Sequence, residues 1–184
     1  MIYFSKPGKD NTESTIEAAI AVAKAQNINK IVVASTSGAT ASLLLDRGFD
    51  VSVVTHQAGY SQPGAMEISR ETIDRLQAGG MKIITGTHFF AGADRAVNRK
   101  FQGIYPGELM AHTLRILGQG FKVCVEVAIM AMDAGHIKAN SEVVAIGGAG
   151  KGADTAVILT PAHSQDFFDT DVKEIICMPR GHRK

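Results

Sequence analysis

The chain is poor in cysteine, nearly neutral in net charge and free of long apolar runs, and each of these absences removes a class of protein. Only two cysteines occur among 184 residues. Cys124 and Cys177 are far apart, each inside an apolar stretch ("KVCVEVAIM" and "EIICMP"). Buried reduced thiols fit that placement; a disulfide framework or a zinc site needs clustered cysteines. A formal net charge of +1 supplies no field for nucleic acid or an anionic membrane surface. The basic cluster "MPRGHRK", Met178 to Lys184, reads as a solvated terminus. No apolar run approaches the roughly 20 residues of a membrane-spanning helix, and "MIYFSKPGKD" starts a strand rather than a signal peptide. The expectation is a cytoplasmic protein with neither nucleic acid nor membrane as partner. No linker, repeat or low-complexity segment divides the chain, so residues 1–184 read as a single domain with its own core.

Short Val/Ile runs mark strands at Ile2–Phe4, Lys30–Ala34, Val51–Thr55, Met81–Thr85, Val143–Gly147, Thr155–Thr160 and Lys173–Met178. Their continuity suits strands buried on both faces. Helical patterns alternate with the early strands. "NTESTIEAAIAVAKAQN" carries Ser14 and Glu17 at capping-box spacing, "ATASLLLDRG" ends on Gly48, and "ISRETIDRLQAGG" starts near Ser69 and stops at Gly79-Gly80. Two further helices are expected, in "PGELMAHTLRILGQ" and in "KVCVEVAIMAMDAGHI". "GGAGKGAD" then reads as the turn of a hairpin. This order predicts a three-layer α/β/α domain with a mixed, mostly parallel sheet, antiparallel toward its C-terminal part.

The chemistry-bearing segments fall in the loops that follow strands. Ser35, Thr36, Ser37, Gly38 and Thr40 lie between the second strand and the next helix. Open α/β sheets bind ligands at that edge, and free backbone N–H groups there favour an anion. The same hydroxyls also suit a plain helix cap. "AIGGAGKGAD" departs from a phosphate-binding Walker A loop, having Ala145 where Gly is needed and Gly152 where Ser or Thr is needed. A flexible hairpin carrying Lys151 remains, able to close over a phosphate from the side. The loop "THQAGYSQPGAM" offers His56, Gln57 and Tyr60 to a ring or sugar. The long segment from Thr85 to Gly103 brings Thr87, His88, Asp94, Arg95, Arg99 and Lys100 toward the same edge. Glu126 sits in an apolar helix, where a carboxylate is either a catalytic acid or base or a hydrogen-bonded structural group. Met130 and Met132 read as core. The six histidines lack metal-ligand spacing, so no metal is expected. Ser/His/Asp catalysis is not expected either, because no G-x-S-x-G occurs and Ser37 sits in an anion-site loop.

"KIVVASTSGATASLL", "VVAIGGAGKGADTAVILTPAHS" and "DFFDTDVKEIICMPR" resemble a family of prokaryotic proteins with the fold of the pyruvate kinase C-terminal domain. "IYFSKPGKDNTESTIEAA" and "KVCVEVAIMAMDAG" extend the likeness over nearly the whole chain. The resemblance implies that a hydroxyl-rich loop holds a phosphate and that a glycine-rich loop between late strands closes over the ligand. Ser35, Thr36, Ser37, Gly38, Ala39 and Thr40 take the first role; Gly148, Gly150, Lys151 and Gly152 occupy the place of the second. No catalytic barrel accompanies the domain, so pyruvate kinase activity is not expected. There is no tryptophan to line an effector pocket, and positions 36 and 39 are not basic. These departures favour one phosphate on a larger ligand over a sugar bisphosphate. Flavin mononucleotide (FMN) fits, with its phosphate at "STSGAT" and its ring under the Tyr60 and His88 loops. A sugar-phosphate isomerase, with Glu126 or His88 moving a proton, is the alternative from another class. A non-catalytic effector-sensing domain in a homo-oligomer is the third.

Overall fold

The structure is a computed structural model that describes residues 1–181; His182, Arg183 and Lys184, the end of the basic cluster, lie outside the described residues. Its seven strands are β1 (Ile2–Phe4), β2 (Lys30–Ala34), β3 (Asp50–Thr55), β4 (Lys82–Thr85), β5 (Val143–Gly147), β6 (Thr155–Thr160) and β7 (Asp171–Pro179). They form one sheet in the order β1-β7-β6-β5-β2-β3-β4. The main helices are α1 (Thr12–Ala25), α2 (Ala39–Ser42), α3 (Arg70–Ala78), α4 (Gly92–Phe101), α5 (Pro106–Leu114) and α6 (Gln119–Asp133).

Strand side chains alternate between the two faces of a sheet, and here both faces are apolar. Ile31, Val33, Val51, Val53 and Ile146 pack with Ile16 and Ile20 of α1 and Leu76 of α3. Val32, Val54, Ala145 and Val157 face the other way, against Cys124, Ala128 and Ile129 of α6. The result is a three-layer α/β/α domain, with both cysteines free and buried and Met130 and Met132 in the core. Burial of each large aliphatic side chain is worth about 1.5–3 kcal/mol, which is why the two sheet faces dominate the stability.

Several expectations change. Strand β1, whose neighbour the element order leaves open, lies at the sheet edge, parallel to β7. Only β6 runs against the others, since β7 returns to the common direction. The helix expected from 39 to 48 ends at Ser42 and continues as tight turns, with Asp46 in the left-handed region at φ 58°. The long loop from Thr85 contains helix α4. Ser14 and Glu17 form no capping box, because α1 starts at Thr12; Glu17 instead pairs with Arg47. Helix α3 does begin as read, with the Ser69 hydroxyl accepting from Thr72 N at 3.1 Å.

Candidate functional site

The loops that follow β2, β3, β4 and β5 meet at the carboxyl edge of the sheet. The loop after β2 divides its residues between the two faces. Ser35 is buried, and its hydroxyl accepts from Ala41 N at 3.2 Å, so it caps the first turn of α2. Gly38 adopts φ 86°, and a Cβ there would collide with Cγ2 of Thr72 on α3. This glycine serves close packing on the α1–α3 side. Thr40 is buried, while Ser37 and Ala39 are exposed and lie outside the cleft described next. Thr36 turns to the α6 side.

There it joins a cleft of about 160 Å³ whose lining includes Ser35, Thr36, His56, Tyr60, His88 and Glu126. Arg95, Arg115, Gln119 and Lys122 complete its polar wall. A second cavity of about 420 Å³ adjoins it, sharing Ala91, Arg95, Arg115 and Lys122 and reaching Asn98, Arg99 and His112. Together they are in the range of small-molecule sites, roughly 300–1,000 Å³. His56 and Tyr60 stack with ring centroids 3.9 Å apart, His88 meets His56 edge-on at 5.2 Å, and the Arg95 guanidinium lies 5.5 Å from the Tyr60 ring centre. Among the described residues, neither Arg95 nor Arg115 pairs with a carboxylate; the Arg115 Nε donates to Gln119 Oε1 at 2.7 Å.

Glu126 is buried at the floor. Its Oε1 accepts from Phe90 N at 3.1 Å and its Oε2 from Lys122 Nζ at 2.5 Å. Oε1 thus ties α6 to the loop before α4, while Oε2 pairs with Lys122 on the same helix, which is the structural role of a buried carboxylate. Burial pushes the Lys122 ammonium below its ordinary pKa, opposed by Glu126 and reinforced by Arg115 and Arg95. His88 is also held low, chiefly by burial, with Glu126 opposing and His56 adding to the effect. A neutral imidazole therefore faces the cleft near pH 7.

The glycine hairpin lies at the same edge but outside the cleft lining. Gly8 N and Ala149 N both donate to Asp154 Oδ2, at 2.9 and 3.1 Å, and Ala153 N donates to Thr12 Oγ1 at 3.1 Å. A Cβ on Gly152 would meet Lys9 and Thr12. The Gly152–Ala153 end of the hairpin is therefore fastened to the start of α1, Gly148 packs against Gly152 and Ala153, and Gly150 and Lys151 are exposed. Gln57 and Thr87 stay outside the lining as well. Asp94 accepts from Gly107 N at 2.5 Å, a bond that joins α4 to α5. Sequence reading missed Arg115, Lys122 and Glu67, whose Oε2 contacts His56 Nδ1 at 2.5 Å. A turn at Pro63-Gly64 in the loop after β3 was the available signal for a segment returning on itself.

Among the described residues no three His, Cys, Asp or Glu side chains converge as metal ligands, and no helix is long and apolar enough to cross a membrane. A mixed α/β sheet with a basic cleft at the strands' carboxyl edge defines the class. The chain belongs to the family described as pyruvate kinase, alpha/beta domain, whose model matches residues 13–159.

Proposed function

We propose that the chain binds a phosphorylated small molecule in the cleft between β2–β4 and α6, FMN or a similar mononucleotide being the best fit. The observation that carries this reading is the convergence of Arg95, Arg115 and Lys122 on a cleft whose one carboxylate, Glu126, is already engaged. That leaves a surplus of donors for a phosphate, with Thr36 beside them. The stacked His56–Tyr60 pair supports a planar ring next to it. The loop stretch 37–40 lies outside the cleft lining in this reading, and the hairpin takes no part.

The test is titration of the full chain with FMN, followed by flavin absorbance and thermal unfolding. Saturation at about 100 Kd adds roughly 2.7 kcal/mol, a rise of several degrees in Tm. Arg115→Ala removes the rise. Absence of both flavin signal and shift sinks the FMN reading. Sugar-phosphate isomerisation is the second reading, favoured by one observation, the place of His88 in the cleft lining, where burial holds its pKa below the ordinary value; Glu126 is too committed to share the work. Isomer exchange of an added sugar phosphate would select it. Binding without turnover, together with a change in assembly, would select the effector-sensing reading. Phe101, Ile104, Leu109 and Ile116 are exposed along α4–α5, which supports a homo-oligomer, checked by light scattering. The two buried free thiols support a reducing, cytoplasmic location.

A further inference from the structure

Thr36, His56 and Glu67 form a chain of contacts that phosphate binding does not require. Glu67 Oε2 sits 2.5 Å from His56 Nδ1, and the other ring nitrogen, Nε2, faces Thr36 Oγ1 at 3.5 Å. A carboxylate on Nδ1 selects the tautomer that carries its proton there, which leaves a lone pair on Nε2 directed at the hydroxyl. The imidazole is held on its face as well as its edge, by the stacked Tyr60 ring. The loop behind it is closed by Gly59 N donating to Ala65 O at 2.8 Å and Ala65 N to Gln62 O at 3.0 Å. That closure returns the chain from His56 to Glu67. Thr36 and His56 both line the cleft, so a ligand reaches the hydroxyl. The 3.5 Å separation is in keeping with the looser nucleophile–base contacts of empty sites.

We propose that Thr36, His56 and Glu67 act as a hydroxyl–imidazole–carboxylate relay that makes Thr36 a nucleophile toward the carbonyl of an anionic ester. The inference rests on the cleft being the ligand site, with the ester's anionic group on Arg95 and Arg115. In the step, the Thr36 hydroxyl proton passes to His56 Nε2 as Oγ1 forms a bond to the carbonyl carbon. The carbon–oxygen bond to the leaving alcohol then breaks, and the alkoxide takes the proton back from His56. Water, deprotonated by His56, hydrolyses the threonyl ester and restores the hydroxyl. Glu67 touches no reacting atom and is a positioning residue. Local sequence hides this set because no nucleophile-elbow motif surrounds Thr36, and its partners lie on another loop.

The test is labelling of the full chain with an alkyl fluorophosphonate, which reacts with an activated hydroxyl by expelling fluoride, and mapping of the adduct by peptide mass. One adduct on Thr36 is expected, forming faster as pH rises through a single ionisation. His56→Ala lowers the labelling rate by about 100-fold or more. Glu67→Gln lowers it and changes its pH profile, and Thr36→Ser keeps the adduct at position 36. No adduct at saturating probe, an adduct only elsewhere, or an unchanged rate in His56→Ala would overturn the relay. FMN titration of the same preparations separates the two readings: binding without labelling rejects the relay alone. Labelling of Thr36 without FMN binding rejects only FMN as the ligand.

Discussion

Glu126 and Lys122 are four residues apart on α6, so they share one helix face, and both are nearly inaccessible to water. Removing one member of such a pair leaves the other charge buried without compensation, typically at 3–5 kcal/mol. Glu126→Ala is expected to lower stability by about that much, seen as a lower urea midpoint at unchanged m value. Glu126→Gln keeps an acceptor for Phe90 N and is expected to lose less. The histidines give a pH dependence. His136 is pushed below its ordinary value by burial and then by Lys30 and Lys82, with Asp50 opposing, and His88 is lowered chiefly by burial. Above an ordinary histidine pKa of 6.5 both folded and unfolded imidazoles are neutral, and this contribution to stability is complete. As pH falls through that value the unfolded chain takes up protons that the folded chain resists, so stability declines. Urea midpoints measured between about pH 7.5 and 5 are expected to fall with pH, and His136→Asn to flatten the curve.

At the scale of elements, close approaches set the cleft. Helix α2 is a single turn, held to α3 because Gly38 has no side chain and adopts a left-handed φ. Gly38→Ala combines backbone strain with a collision against Thr72, and a loss of about 1–3 kcal/mol is expected. In a chain of this length that lowers Tm by several degrees, measurable by calorimetry. Gly120 does the same for the other side: a Cβ there would strike Thr155 and lie 2.6 Å from Asp154 Oδ1. Through that contact the start of α6 lies against β6, which brings Gln119 and Lys122 to the cleft. The loop after β3 is the element that differs most in kind from the rest. It has no regular structure, yet it closes on itself and delivers His56, Tyr60 and Glu67 as a unit.

Across the whole molecule, stability is graded from the sheet centre outward. Strand β5 is buried along its length between β2 and β6, whereas β1 pairs three residues with β7 and exposes Ile2 and Tyr3. Amide hydrogen exchange is therefore expected to be slowest in β2, β5 and α6 and fastest in β1. Comparable protection in β1 and β5 would contradict that grading. The site sits between these extremes, built on loops whose ends are anchored in the central strands. Such a placement combines a rigid frame with adaptable contacts.

The strands were legible because continuous Val and Ile runs admit few alternatives in a sheet covered on both faces. Capping at Ser69 and the Gly79-Gly80 stop were equally local, and the hydroxyl cluster lies beside the cleft at the strands' carboxyl edge. Local pattern did not reveal α4, whose "GADRAVNRKF" has only a thin stripe of Ala93, Ala96, Val97 and Phe101 and no fully buried residue. It did not place β1 beside β7, because strand order depends on pairings between the two ends of the chain. The same limit governs the site. Ser35 to Thr40 are contiguous in sequence, but only Ser35 and Thr36 line the cleft, since Gly38 is drawn toward α3. Arg95 is on α4, Arg115 just follows α5 and Lys122 is on α6, and they meet only because these helices pack on one face of the sheet. Periodicity and turn chemistry act over a few residues and decide elements; the meeting of charges and hydroxyls acts through space and is decided by packing.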